Sequence, residues 1–321
     1  MTEVAGTPLM WVGFTVFILA LLALDLGVFN RKAAQPTFGR ALTWSIAWIL
    51  LALAFNAWIH FRFGPQVGME FLTGYLIEKA LSVDNVFVFL VIFNSFAVPA
   101  QHQYRVLFWG VLGALVMRAI FIAVGAAALH AFHGVIYVFG GILLLTGIKL
   151  LLAGDKEEHP ERNPLFRLFR RLVRTSQHYE GGRFFTRVDG RRMATPLFAV
   201  LVLIEITDLV FAVDSIPAIF AITDDPFIVF TSNIFAILGL RALYFCIAGF
   251  VARLRYLKVG LALVLIFVAI KMIISDFYKI PIQLSLIVVA GLLAGATVVS
   301  LALPAKGPER DTGPGAGPEP D

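Results

Sequence analysis

Charge is scarce in this sequence. Only 15% of its 321 residues are Asp, Glu, Lys or Arg, against 59% hydrophobic residues, and the mean hydropathy is +0.86. A soluble domain carries about a quarter charged residues, so a water-soluble globule is excluded. Cysteine is nearly absent as well: Cys246 stands alone, which excludes an intrachain disulfide and leaves the redox compartment unreadable. Histidine is rare, and HExxH does not occur. No serine nucleophile stands beside a suitable base, and His130 and His133 face no second pair that would ligate haem. The chain is therefore not expected to be an enzyme and needs no cofactor. Its net charge of +5 is concentrated in particular loops, which argues against a nucleic-acid partner. Leu9 to Val28 is too long for a signal-peptide core and lacks the flanking signals, so it reads as a retained helix.

What the sequence does have is apolar runs near the length a bilayer requires, about 20 residues. They fall at 8–29, 41–60, 71–96, 105–129, 134–153, 196–222, 227–250, 257–275 and 281–303. The fold class is an all-α polytopic membrane protein of about nine transmembrane helices, with the bilayer itself as a partner. Nineteen of the 26 lysines and arginines fall in or at the edges of the loops after the odd-numbered spans 1 to 7 and in the tail. The positive-inside bias then sets the N-terminus outside and the C-terminus in the cytoplasm. The membrane domain is 1–303, interrupted by a basic cytoplasmic loop at 154–195. That loop holds NPLFRLFRRLVRT, either a surface helix on the anionic leaflet or an ordinary positive-inside segment. Residues 304–321 are rich in Pro and Gly and read as a disordered cytoplasmic tail.

The spans contain an internal repeat. LSVDNV (81–86) matches FAVDSI (211–216), aligning Asp84 with Asp214 and Asn85 with Ser215. Arg118 then aligns with Arg241, and Lys149 with Lys271. The acid before each motif pairs Glu78 with Asp208 or, through the shared LIE, with Glu205. Repeat A covers 71–153 and repeat B 196–275, three spans each. An odd number of crossings inverts the second copy, as in secondary transporters whose site lies at the repeat interface.

Charges inside spans are costly, roughly 2.5–3.5 kcal/mol each at a helix centre. Asp25, Glu78, Asp84, Glu205, Asp208 and Asp214 stand there against Lys79, Arg118, Lys149, Arg241 and Lys271. Lys149 and Lys271 lie toward span ends, where they either snorkel or balance charge, and Asp25 is either interfacial or functional. Arg118 and Arg241 are too deep to reach water and are expected to pair with the acids, as Lys79 is with a neighbouring acid. Carboxylates with Asn and Ser oxygens suit Mg²⁺, Ca²⁺ or Mn²⁺ rather than Zn²⁺ or Cu⁺. Acids six residues apart differ by about 9 Å in height and about 120° in azimuth. Ligation is therefore expected to join Asp84 to Asp214, with Glu78 and Asp208 as outer or relay sites. Pro217 is expected to loosen the turn before it and free carbonyls as further ligands. Clustered carboxylates also bind protons, a basis for metal–proton antiport.

EKALSVDNVFVF (78–89) and EITDLVFAVDSIPAIFAI (205–222), with an arginine in the following span of each repeat, resemble the TerC/Alx family of bacterial membrane proteins. The resemblance covers about 8–300. It implies a lysine-exporter-like fold with inverted three-helix repeats and an ion pathway through Glu78, Asp84, Asn85, Glu205, Asp208, Asp214 and Ser215. It also implies manganese as the transported ion and a link to tellurium resistance. The function expected is export of a divalent cation, Mn²⁺, in exchange for protons. The alternative is a non-transporting scaffold or stress-response protein linked to tellurite resistance, its buried charges serving structural ion pairs. Homo-oligomerisation is left open.

Overall fold

The structure is a computed structural model that describes residues 6–29, 37–132, 134–153, 173, 175–176, 179–188, 191–247, 256–278 and 280–302. Long apolar helices follow one another: α1 (Pro8–Phe29), α2 (Phe38–Phe63), α3 (Pro65–Ser95), α4 (Ala100–Ala131) and α5 (Val135–Ala153). A hairpin of β1 (Phe185–Val188) and β2 (Arg191–Ala194) comes next. Then follow α6 (Pro196–Phe220), α7 (Pro226–Leu238), α8 (Leu240–Ile247), α9 (Leu257–Ile273) and α10 (Ile282–Ala302). Six of the described helical stretches are long and apolar enough to cross a membrane, among them Pro226–Cys246, which joins α7 and α8 across Gly239. Counting that pair once, the helices occupy the nine positions expected from hydropathy. The charged amphipathic stretch 163–175 and the tail lie almost wholly outside the described residues.

Helix ends follow local chemistry. Gly64 takes φ +98°, open to glycine and strained for other residues, and lets α2 turn into α3, whose first residue is Pro65. Asp225 caps α7, its carboxylate accepting from the amides of Phe227 (2.8 Å) and Ile228 (3.4 Å). α6 runs unbroken through Pro217 to Phe220. The discontinuity expected near that proline lies instead at Gly239, between α7 and α8. A proline's missing amide costs one hydrogen bond, and packing on both sides of α6 holds the helix across it.

α7 is the central helix. Eleven of its thirteen residues are buried, the pattern of a helix surrounded on every side. α3 packs on α6 and α7, and so does α4. α5 and α9 run together most closely of all. Gly140 and Gly147 permit this, since a side chain at either would meet Ile273 or Ile266 at 2.7 or 2.8 Å.

The hairpin was not anticipated from the sequence, because its short arms carry arginines and read as loop. The segment 179–194 that contains it docks on the ends of α3, α4 and α6. Tyr179 donates its hydroxyl to the carbonyl of Phe96 (2.7 Å), and Arg105 lies over the Phe184 ring at 5.2 Å. Partial burial raises the Tyr179 phenol, which keeps it a donor. Gly182 has φ +74°, and a Cβ there would lie 2.9 Å from the His102 ring. Gly182→Val is thus expected to undock the segment. Tryptic cleavage at Arg183 and Arg187 should be several times faster in the variant, and equal rates would show that the docking is not maintained in solution.

Candidate functional site

The buried charges converge on Arg118, which projects from α4 and is fully buried. Its Nε and Nη2 hold the Asp208 carboxylate of α6 at 3.2 and 2.9 Å, a bidentate fork. Its Nη1 donates to Glu78 of α3, to Asn233 Oδ1 of α7 (3.2 Å) and to Ser215 Oγ of α6 (3.4 Å). Asn233 closes the ring by donating Nδ2 to Glu78 Oε2 at 3.1 Å. Asn85, one turn beyond Ser82 on α3, donates Nδ2 to Asp208 Oδ1 at 3.3 Å. Every one of these side chains is buried.

Four helices therefore meet in one network of two carboxylates, one guanidinium, two amides and one hydroxyl. A fully buried guanidinium needs all its donors engaged, and here Nε, Nη1 and Nη2 each have an acceptor. With both acids ionised, the group carries one negative charge in excess. Ser82 takes no part, because its hydroxyl donates to the Glu78 backbone carbonyl.

The other residues expected at the site are spread around this centre. Glu205 is half-buried on α6 and presses its carboxylate against Gly113 of α4, where a Cβ would stand 2.6 Å from Oε2. Asp214, also half-buried, accepts from Thr146 Oγ1 of α5 at 2.9 Å. The side chains of Asp84 and Asp25 lie outside the described residues, so the expected joining of Asp84 to Asp214 falls there too. Among the described residues no group of three or more His, Cys, Asp or Glu side chains converges as a metal centre.

The basic residues divide in a way the repeat did not foretell. Arg118 pairs with acids, as expected. Its aligned counterpart Arg241 lies over the rings of Tyr104 (4.8 Å) and Phe108 (5.6 Å) and donates to the Tyr104 hydroxyl at 3.1 Å. Lys79 was expected to neutralise a neighbouring acid. It turns to α7 and donates to the Ala236 carbonyl at 3.3 Å, beside the Gly239 discontinuity. One residue of helical spacing, 100° of azimuth, separates it from Glu78 and accounts for the difference. Lys149 is exposed and Lys271 half-buried.

Asn233 was missed by sequence reasoning. The signal was present in the run TSN (231–233) inside an apolar span, but counting charges passes over an uncharged amide.

Comparison with known proteins agrees with the resemblance. The sequence model of the Integral membrane protein TerC family matches residues 63–307. Membrane protein STKORF319 of Myxococcus xanthus is 56% identical over 296 residues, covering 92% of this chain and 93% of that protein. The candidate membrane-bound redox modulator Alx of Escherichia coli K12 is 48% identical over 304 residues, 92% of this chain and 95% of Alx. A membrane protein of Rickettsia bellii is 42% identical over 283 residues, 88% of this chain and 94% of that protein. No solved structure matches the chain.

Proposed function

From the premise that this chain belongs to the TerC family of integral membrane proteins, we propose that it is a secondary transporter exporting a divalent cation in exchange for protons. The family resemblance names the cation as Mn²⁺. One observation carries the reading: Glu78 and Asp208, from different three-span segments of the chain, share Arg118 in a fully buried network. A bundle that needed only an internal ion pair would be satisfied by one acid. The second acid leaves a charge that a cation or proton can balance. The donors are carboxylate, amide and hydroxyl oxygens, the hard set that Mg²⁺, Ca²⁺ and Mn²⁺ prefer.

Arg118 sits between the two acids where a cation would have to sit. In the proposed cycle, cation entry opens the arginine fork, and release lets the guanidinium return as the internal counter-ion. Asp84, Glu205, Asp214 and Ser215 would line the approach on either side. The packing of α3 on α7, of α4 on α6 and of α5 on α9 is the set of contacts an exchange of spans 3–5 with 6–8 would generate. It supports an inverted repeat with the site at the interface. In the orientation set by the basic loops, the hairpin side faces the cytoplasm of a bacterial inner membrane and the N-terminus lies outside.

A saturated arginine network also suits the second reading, a non-transporting scaffold locked by its charges. Redox modulation, in the name of the E. coli relative, would have to reach this chain through what it moves or binds. A single cysteine forms no dithiol couple within the chain.

The deciding experiment uses everted inner-membrane vesicles containing the full chain. Acidifying the vesicle interior should drive Mn²⁺ uptake, and collapsing the pH gradient should stop it. Uptake no greater than in vesicles lacking the protein would remove the transporter reading and leave the scaffold.

A further inference from the structure

One polar atom in the network has no partner. Asn85 is 2% exposed, and its Oδ1 makes no hydrogen bond. Its amide nitrogen is committed to Asp208, so the carbonyl must turn away from that carboxylate. An amide flip would set oxygen against oxygen and is excluded on that ground. A buried amide oxygen left bare costs of order 1–3 kcal/mol, and native interiors rarely leave one so.

Beside it lies a cavity of about 10 Å³. Its polar lining is Asn85 and Asp208, and its remaining walls are apolar, including Phe89, Leu107, Gly110 and Ile204. The space is about what one water molecule needs and too small for two.

Asp208 has room for another donor as well. Its Oδ1 accepts from Arg118 Nη2 and Asn85 Nδ2, and its Oδ2 accepts from Arg118 Nε. A carboxylate offers about four acceptor sites, so one remains on Oδ2. The cavity therefore presents two acceptors, no donor and apolar walls. Its occupant must donate at least two hydrogen bonds and need few further ligands.

We propose that this cavity is a single-water site, in which one water donates to Asn85 Oδ1 and to Asp208. A bare divalent cation does not suit it, because such ions take six or more oxygen ligands and the lining offers two residues' worth. A water satisfies the orphaned carbonyl and hydrates Asp208 on the face turned away from Arg118. Asn85 is then the positioning residue for that water and, through its amide, for the carboxylate. The inference does not depend on transport, since a locked scaffold would retain the same water.

Gly110 supplies a clean control. Among the described residues a Cβ there would have Ile204 Cγ2 at 3.2 Å as its one neighbour within 4 Å, so Gly110→Ala places a methyl group in the cavity while leaving Asn85 and Asp208 intact. The test is a density map, at a resolution that shows ordered water, of the full chain in lipid nanodiscs prepared with and without Mn²⁺. The wild type should show one peak within hydrogen-bond distance of Asn85 Oδ1 and Asp208 in both preparations, and it should vanish in Asn85→Leu and in Gly110→Ala. An empty cavity in the wild type would overturn the site, as would a peak that persists in both variants. A peak present only with Mn²⁺ would overturn it in favour of the transported ion. The map reads occupancy and the vesicle assay reads flux, so either proposal can fail while the other stands.

Discussion

Arg118→Met should destabilise the protein more than any other single substitution in the network, by about 3–5 kcal/mol, the cost typical of removing one partner from a buried ion pair. Methionine keeps much of the side chain's length and volume, so the loss reports charge and hydrogen bonds rather than a cavity. What remains after the substitution is two carboxylates, Glu78 and Asp208, both buried and both without their principal donor. Asn233 and Asn85 would still donate one hydrogen bond each, too little to hold two like charges in an apolar interior. Thermal or denaturant unfolding of the purified chain in detergent measures the effect. The triple variant Arg118→Met, Glu78→Gln, Asp208→Asn removes all three charges together and should recover most of the lost stability. It should remain inactive in transport, which separates the structural part of the network from its ion chemistry. A single variant as stable as wild type would show that the acids do not depend on Arg118, and the account of the site would fall with it.

The second large effect is on transport. Asp208→Asn should reduce gradient-driven Mn²⁺ uptake by roughly tenfold or more, a loss of at least about 1.4 kcal/mol in effective ion stabilisation. Stability should change far less than in Arg118→Met. The asymmetry follows from charge: losing Asp208 leaves Arg118 with Glu78, a balanced pair, whereas losing Arg118 leaves two unbalanced acids. Glu78→Gln should behave in the same way, with Asp208 retaining the bidentate fork. Uptake in Asp208→Asn equal to wild type, at equal protein in the membrane, would show that the ion does not pass this pair. Asp214 offers a comparison, because its carboxylate bonds Thr146 on α5 and stands outside the Arg118 network.

Much of this is legible in the sequence. The described helices lie where hydropathy places them, and six are long and apolar enough to cross a membrane, because a bilayer demands apolar length. Family membership was legible in the two aspartate motifs. Arg118 was readable as a counter-ion, since a guanidinium that deep has no water within reach. The pairing of residues was less legible. Alignment by motif made Asp84 and Asp214 the expected partners and Arg241 the equal of Arg118. Among the described residues, Glu78 and Asp208 are tied to Arg118, a pairing that motif alignment does not single out, and Arg241 packs on aromatic rings. Lys79 and Glu78 are neighbours in sequence yet serve different helices. The hairpin at 185–194 and Asn233 left only faint traces, because neither depends on a long hydrophobic pattern.

The sequence by itself determined that the chain is a polytopic membrane protein, where its apolar helices fall, and which residues are too costly to face lipid. These are properties of single segments against their solvent. Tertiary structure alone decided which acids share the arginine, that Asn233 joins them, and that one face of Asp208 is left open beside Asn85. Those depend on the rotation of each helix about its axis and on its crossing with its neighbours. A shift of one residue turns a side chain through 100°, and only packing between distant segments sets that angle.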